Sequence, residues 1–126
     1  MSTAIIIEVG GTRIKGELDN SPLGRALAAQ LPFTWEATTW GEELYGEIDK
    51  PVMGVKQDTL EEMEIGELAY HQSNNWFCLF FGPTPMSHDT EPRAAVPICR
   101  VGEVYASSME LDELGHEVSA EIRKAD

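Results

Sequence analysis

Along most of this chain apolar and polar residues alternate over short stretches, the period of a strand with one buried face. One stretch does not alternate. From Trp76 to Phe81 six successive residues are apolar, which as a strand leaves no wet face: Trp76, Cys78 and Phe80 pack to one side, Phe77, Leu79 and Phe81 to the other. This run marks the structural centre. Nearer the N-terminus, Ala4 to Val9 is rich in β-branched residues, Gly10-Gly11 supplies a tight turn and Thr12 to Leu18 alternates, which predicts an opening hairpin. Ser21-Pro22 then has the form of a helix start, with Ser21 as cap and Pro22 at the first helical position. Leu23, Ala26, Leu27 and Leu31 follow at helical spacing, and Pro32 stops the helix. Trp35 to Ile48 reads as one or two strands, with Leu44, Gly46 and Ile48 on one side and Glu43, Tyr45 and Glu47 on the other.

Lys50 to Met63 carries Pro51, Gly54 and a string of acids, and reads as irregular and exposed. Gly66 leads into a short strand, Glu67 to His71, which a polar turn at Gln72 to Asn75 joins to the central run. Gly82 to Pro97 holds four prolines and little periodicity, a long loop of the kind that often carries function. Ile98 to Tyr105 returns to strand-like sequence, Ser107 and Glu110 have capping-box spacing ahead of a brief helix ending near Gly115, and Val118, Ala120 and Ile122 suggest a last strand closing the sheet. About eight strands with one clear helix and one short one predict a mainly β protein, a closed barrel without exposed sheet edges. With 126 residues one domain spans the chain, long enough for a single core without disulfides or a structural metal.

Charge narrows the partners. Nine basic residues stand against 22 acidic ones, a net charge of −13, and the cations are scattered except for Arg123-Lys124. A nucleic-acid face needs clustered Lys and Arg, so none is expected. The acidity is read first as a solvated surface and second as a docking site for a basic partner. No stretch approaches a transmembrane helix, and the apolar start Ile5-Ile6-Ile7 is interrupted at Glu8, so the chain is expected to be cytoplasmic with no membrane partner. Cys78 and Cys99 lie in apolar segments without C-x-x-C spacing and read as buried free thiols.

Four segments bring a family into view. Thr39-Trp40-Gly41-Glu42-Glu43-Leu44-Tyr45, Gly66-Glu67-Leu68-Ala69-Tyr70, Leu79-Phe80-Phe81-Gly82-Pro83-Thr84-Pro85 and Pro92-Arg93 resemble, in order and spacing, motifs of a small prokaryotic family of cyclophilin-like proteins. The resemblance spans nearly the whole chain and implies a cyclophilin-type β-barrel capped by helices. The family has no settled activity, so the resemblance carries a fold and not a reaction. One departure is local: where the family tends to have a Pro and Gly turn after Ala69-Tyr70, this chain has His71-Gln72-Ser73-Asn74-Asn75.

True cyclophilins isomerise X-Pro bonds, which makes peptidyl-prolyl isomerase the natural enzymatic alternative. Such a catalyst holds proline in an apolar slot and aims a guanidinium at the imide nitrogen. The Phe-His-Arg and Phe-x-x-Gln elements that cyclophilins use for this are absent. The leading expectation is therefore a binding module for a small carboxylate-bearing ligand or a short peptide, on an aromatic-lined surface beside the Gly82 to Pro97 loop. Its candidate walls are Trp40, Tyr45, Tyr70 and Phe81; its candidate polar groups are Thr84, Ser87, His88 and Arg93. Arg93 is the only Lys or Arg between Lys56 and Arg100, and its guanidinium suits a carboxylate; the plain alternative is a salt bridge to Asp89 or Glu91. For Trp40 and Tyr70 the plain alternative is core packing. Glu43 reads either as a buried acceptor tying down the Trp40-Gly41 turn or as a solvated acid. His71, His88 and His116 have no spacing suited to a shared metal, so no metal and no cofactor are assigned. A third alternative is a homodimer, formed through an apolar patch to which the exposed parts of Trp35 or Trp40 contribute.

Overall fold

In the computed structural model, which describes residues 2–125, the opening hairpin forms where alternation places it. Strands β1 (Thr3–Val9) and β2 (Thr12–Leu18) pair antiparallel with Val9 opposite Thr12. Helix α1 (Pro22–Ala28) follows, with Ser21 Oγ accepting the Gly24 N–H at 3.1 Å, and it buries Leu23 and Leu27. Leu31 packs against the same core from beyond the helix end. Trp35 to Ile48 resolves into two strands, β3 (Phe33–Thr39) and β4 (Glu43–Ile48). After them come β5 (Leu60–Glu62), β6 (Glu67–His71), β7 (Trp76–Phe80), β8 (Arg93–Val104), α2 (Ser108–Asp112) and β9 (Glu117–Lys124). The Ser107–Glu110 capping box starts α2, and Gly115 supplies the left-handed residue that leads out of it at φ +96°.

The ring runs β2-β1-β9-β3-β4-β7-β6-β8, and a pairing of β2 with β8 closes it. Eight antiparallel strands thus form the barrel, and β5 lies outside it against β8.

The unbroken apolar run at β7 serves two cores. Phe77, Leu79 and Phe81 belong to the barrel interior with Ile5, Phe33, Trp35, Leu44 and Ile122. The Phe77 ring meets Phe33 edge-on at 5.9 Å and Trp35 at 5.2 Å, and Trp35 Nε1–H donates to the Phe77 carbonyl at 2.9 Å. Cys78 and Phe80 face outward, where a barrel strand normally meets water. Here they are covered by Met63, Ala94 and Ile98 in a second, smaller cluster that Trp76 and Tyr45 border. The cover is the N-terminal half of β8, which folds across the outer face before the strand joins β6 at Cys99 opposite Tyr70.

Three expectations need correction. The loop after β7 ends at Pro92 and not at Pro97, because β8 already begins at Arg93. Pro97 is tolerated there because it is exposed, in a stretch whose pairing with β5 shifts register between Leu60 and Glu62. Lys50 to Met63 is irregular up to Leu60 but not wholly exposed: Val52 and Met63 are buried. Side-chain amides hold that segment down, with Gln57 bonding Leu23 N–H and the Arg100 carbonyl, each at 2.8 Å, and Gln72 bonding both backbone groups of Val55. Trp35 is fully buried inside the barrel and has no exposed part to offer a dimer. Both cysteines are free and buried, as their segments imply.

Candidate functional site

Where the covering half of β8 fails to meet the barrel wall, a slot of about 200 Å³ remains. Its walls are Trp40 from the β3–β4 turn, Tyr45 from β4, Trp76 and Cys78 from β7, and Ala94, Ala95, Val96 and Ile98 from β8. Strand register explains the grouping. Tyr45 lies opposite Cys78 and Glu43 opposite Phe80 across the β4–β7 pairing, so these side chains share the outer face. Tyr45 and Trp76 meet edge-on at 5.4 Å and make an aromatic rim.

One polar side chain enters this apolar space. Glu43 is only 5% exposed and lines the slot. The Trp40–Glu43 turn is tied by backbone bonds, Trp40 N–H to Glu43 O at 2.8 Å and Glu43 N–H to Trp40 O at 3.2 Å, with Gly41 in left-handed conformation at φ +60°. The carboxyl is therefore not the turn's acceptor, nor is it solvated. Burial drives its pKa up to about 7, opposed by a hydrogen bond with the Cys78 thiol. The same burial, with Glu43 adding to it, pushes the Cys78 thiol well up, so it is held as a neutral thiol.

The other sequence candidates divide. Tyr70 points into the barrel, its hydroxyl accepting from Val52 N–H at 3.1 Å and donating to Asn75 Oδ1. Phe81 also packs in the interior. Thr84 and Ser87 shape the loop itself: Thr84 N–H donates to Ser87 Oγ at 2.8 Å, while their hydroxyls bond to the carbonyls of Arg93 and Glu91. His88 is exposed, and its backbone N–H donates to Glu91 at 2.8 Å. Arg93 is committed, with Nε 3.0 Å from Glu91 Oε2 and Nη2 3.1 Å from Glu62 Oε1. Glu91 collects the N–H groups of His88 and Asp89 before that guanidinium, and its pKa falls to about 2. So the salt bridge to Glu91 is what the structure contains, and Arg93 does not line the slot.

Of the nine candidates the slot gathers Trp40, Glu43 and Tyr45. Trp76 and Cys78 were missed as site residues although the alternation of the central run had already put them on one face. Ala94 to Ile98 carried no signal, because nothing in a short apolar stretch with a proline tells which wall it covers. The turn where this chain departs from its resemblance is a single 3₁₀ turn, Gln72–Asn74, ended by Asn75 in left-handed conformation at φ +56°. Asn in that role replaces a glycine. Among the described residues no group of three or more His, Cys, Asp or Glu is placed to hold a metal, and no helix is long and apolar enough to cross a membrane.

Comparison with known proteins places this geometry. A family model described as cyclophilin-like matches residues 3–123. The chain is similar to a hypothetical protein from Archaeoglobus fulgidus solved in solution: 26% identity, 98% of this chain and 95% of that one covered, TM-score 0.76. No curated protein matches the sequence.

Proposed function

We propose that this chain, which belongs to the cyclophilin-like family, is a binding module whose outer-face slot takes a compact apolar group of a small molecule or short peptide. The observation that supports this most directly is the slot itself. Protein surfaces of this kind are ordinarily wet, yet here two tryptophans and a tyrosine surround a concave apolar space with one polar side chain inside it. Rigid strands supply every wall except Trp40, so the shape exists before a ligand arrives.

The isomerase alternative gains nothing from the geometry, because the guanidinium it would need is bound by Glu91 and Glu62. The carboxylate expected for Arg93 loses its partner for the same reason. In a thermal-shift screen of small apolar molecules and short peptides, a true slot ligand is expected to stabilise the wild type and the Arg93→Ala variant equally, and to leave Val96→Trp, which enlarges a lining side chain packed against the outer cluster, unshifted. Equal stabilisation of Val96→Trp, or loss of the shift in Arg93→Ala alone, would move the site to the loop.

A further inference from the structure

We infer that the ligand is a cation: an apolar group carrying an ammonium or guanidinium, with the apolar part in the slot and any further positive charge in the groove next to it. This rests on the slot being a binding site and goes on to name the chemistry of its occupant.

Three observations converge. Inside the slot, Glu43 has neither a Lys or Arg partner nor a backbone N–H donor to its carboxyl among the described residues. A carboxylate so placed is normally neutralised by an ion pair or several donors. Its polar neighbour is the Cys78 thiol, a weak neutral donor that also points at the Trp76 carbonyl, 3.8 Å away.

Across the rim formed by Tyr45 and Trp76 lies an open groove of about 850 Å³ over β3, β4 and β9, and both aromatic side chains line it as well as the slot. Glu36, Glu47, Asp49 and Glu117 also line it, and no Lys or Arg does. Asp49 takes the Thr34 N–H at 2.7 Å and Glu36 the Ser119 hydroxyl at 2.6 Å, which fixes their carboxylates in place without neutralising them.

The aromatic rim suits the same occupant, since a cation passing over an indole or phenol face is attracted by its negative π surface. An anion would meet Glu43 at one end and four acids at the other. A solvated acidic face explains the groove taken alone, but not the buried acid on the far side of its rim.

Four probes separate the possibilities by isothermal titration at pH 7, where an α-amine is still mostly protonated and Glu43 is about half ionised: leucinamide, a cation; N-acetyl-leucinamide, its neutral analogue; N-acetyl-leucine, an anion; and N-acetyl-Leu-Lys-Lys-amide, a peptide that extends its cations toward the groove. Leucinamide is expected to bind about tenfold or more tighter than the neutral analogue, as a charge-assisted hydrogen bond would give, and the anion weakest. Glu43→Gln should remove that preference. Glu47→Gln with Glu117→Gln should weaken only the lysine peptide, which also tells a peptide ligand from a free amine. If the neutral or the anionic probe binds as tightly as leucinamide, the cation inference falls and the slot reading stands. If none of the four binds, both fall.

Discussion

Glu43 shows what a single side chain contributes to this site and what it costs the fold. Its pKa of about 7 in the protein lies above the 4.5 it has when solvated. Between those values the native state holds a proton that the unfolded chain has released, so stability falls as pH rises through the window and the full cost is present above it. A shift of that size corresponds to about 3 kcal/mol. The groups around the carboxyl are the neutral Cys78 thiol on β7, the neutral rings of Trp40 and Tyr45, and apolar residues of β8, so no neighbouring charge obscures the effect. Glu43→Gln is therefore expected to be more stable than the wild type at pH 8 by up to about 3 kcal/mol, and close to it at pH 4.5. Urea unfolding of both proteins at the two pH values measures this, and an identical gap at both would show that Glu43 is not buried as a titrating acid. The same residue shows what could be read before the structure. Strand alternation put Glu43 and Tyr45 on one side of β4, and that side lines the slot. Arg93 drew attention as an isolated cation in an acidic stretch, but isolation in sequence says nothing about carboxylates brought near by folding, here Glu62 from β5.

At the scale of elements, β8 does the work that sequence could not disclose. Its C-terminal half is a barrel strand between β6 and β2, and its N-terminal half is the lid of the outer cluster. Four prolines made the stretch before Ile98 look like loop, because a proline inside a central strand would break a ladder bond; an exposed proline at an irregular pairing breaks none. Arg100 sits where the two halves meet. It reaches Glu67 on β6 through Nε and Asp19, just after β2, through Nη1 at 2.7 Å, so one guanidinium joins three parts of the wall. Glu67 is 9% exposed, and removing its partner would leave a nearly buried carboxylate unpaired. Such losses cost about 3–5 kcal/mol for fully buried pairs, and with Arg100 one third exposed the expected cost of Arg100→Ala is about 2 kcal/mol. Adding Glu67→Gln to that variant should recover part of the loss, because the group left behind is then neutral. Chemical denaturation of the single and double variants tests it, and a double variant less stable than Arg100→Ala would show that Glu67 contributes by some route other than this pair.

For the whole molecule, the eight barrel strands and the two helices were legible, while the outlying β5 and the order of the strands were not. Alternation registers each strand's buried face, but β9 lies between β1 and β3, a placement settled by contacts between the two ends of the chain. The closing seam is the least visible of these. At β2–β8 the backbones approach so closely that a Cβ on Gly102 would lie 2.0 Å from the Glu17 carbonyl oxygen, and one on Gly16 would lie 2.5 Å from the Glu103 carbonyl oxygen. Each strand thus gives a glycine to the seam, next to Leu18 and Val104 respectively in the register. Because the obstructing atoms are backbone, no rotamer change relieves them, and Gly102→Ala must push the strands apart. The expected cost is at the upper end of overpacking, about 3 kcal/mol, or roughly a 10 °C drop in melting temperature for a domain of this size. Faster amide exchange should accompany it in β2 and the second half of β8, with β3 and β4 less affected. Gly11→Ala is the matched control: it lies in the β1–β2 turn with nothing within 4 Å of an added Cβ, so its melting temperature should stay within a degree or two of the wild type. If Gly102→Ala melts with the control, the barrel does not depend on a tight seam.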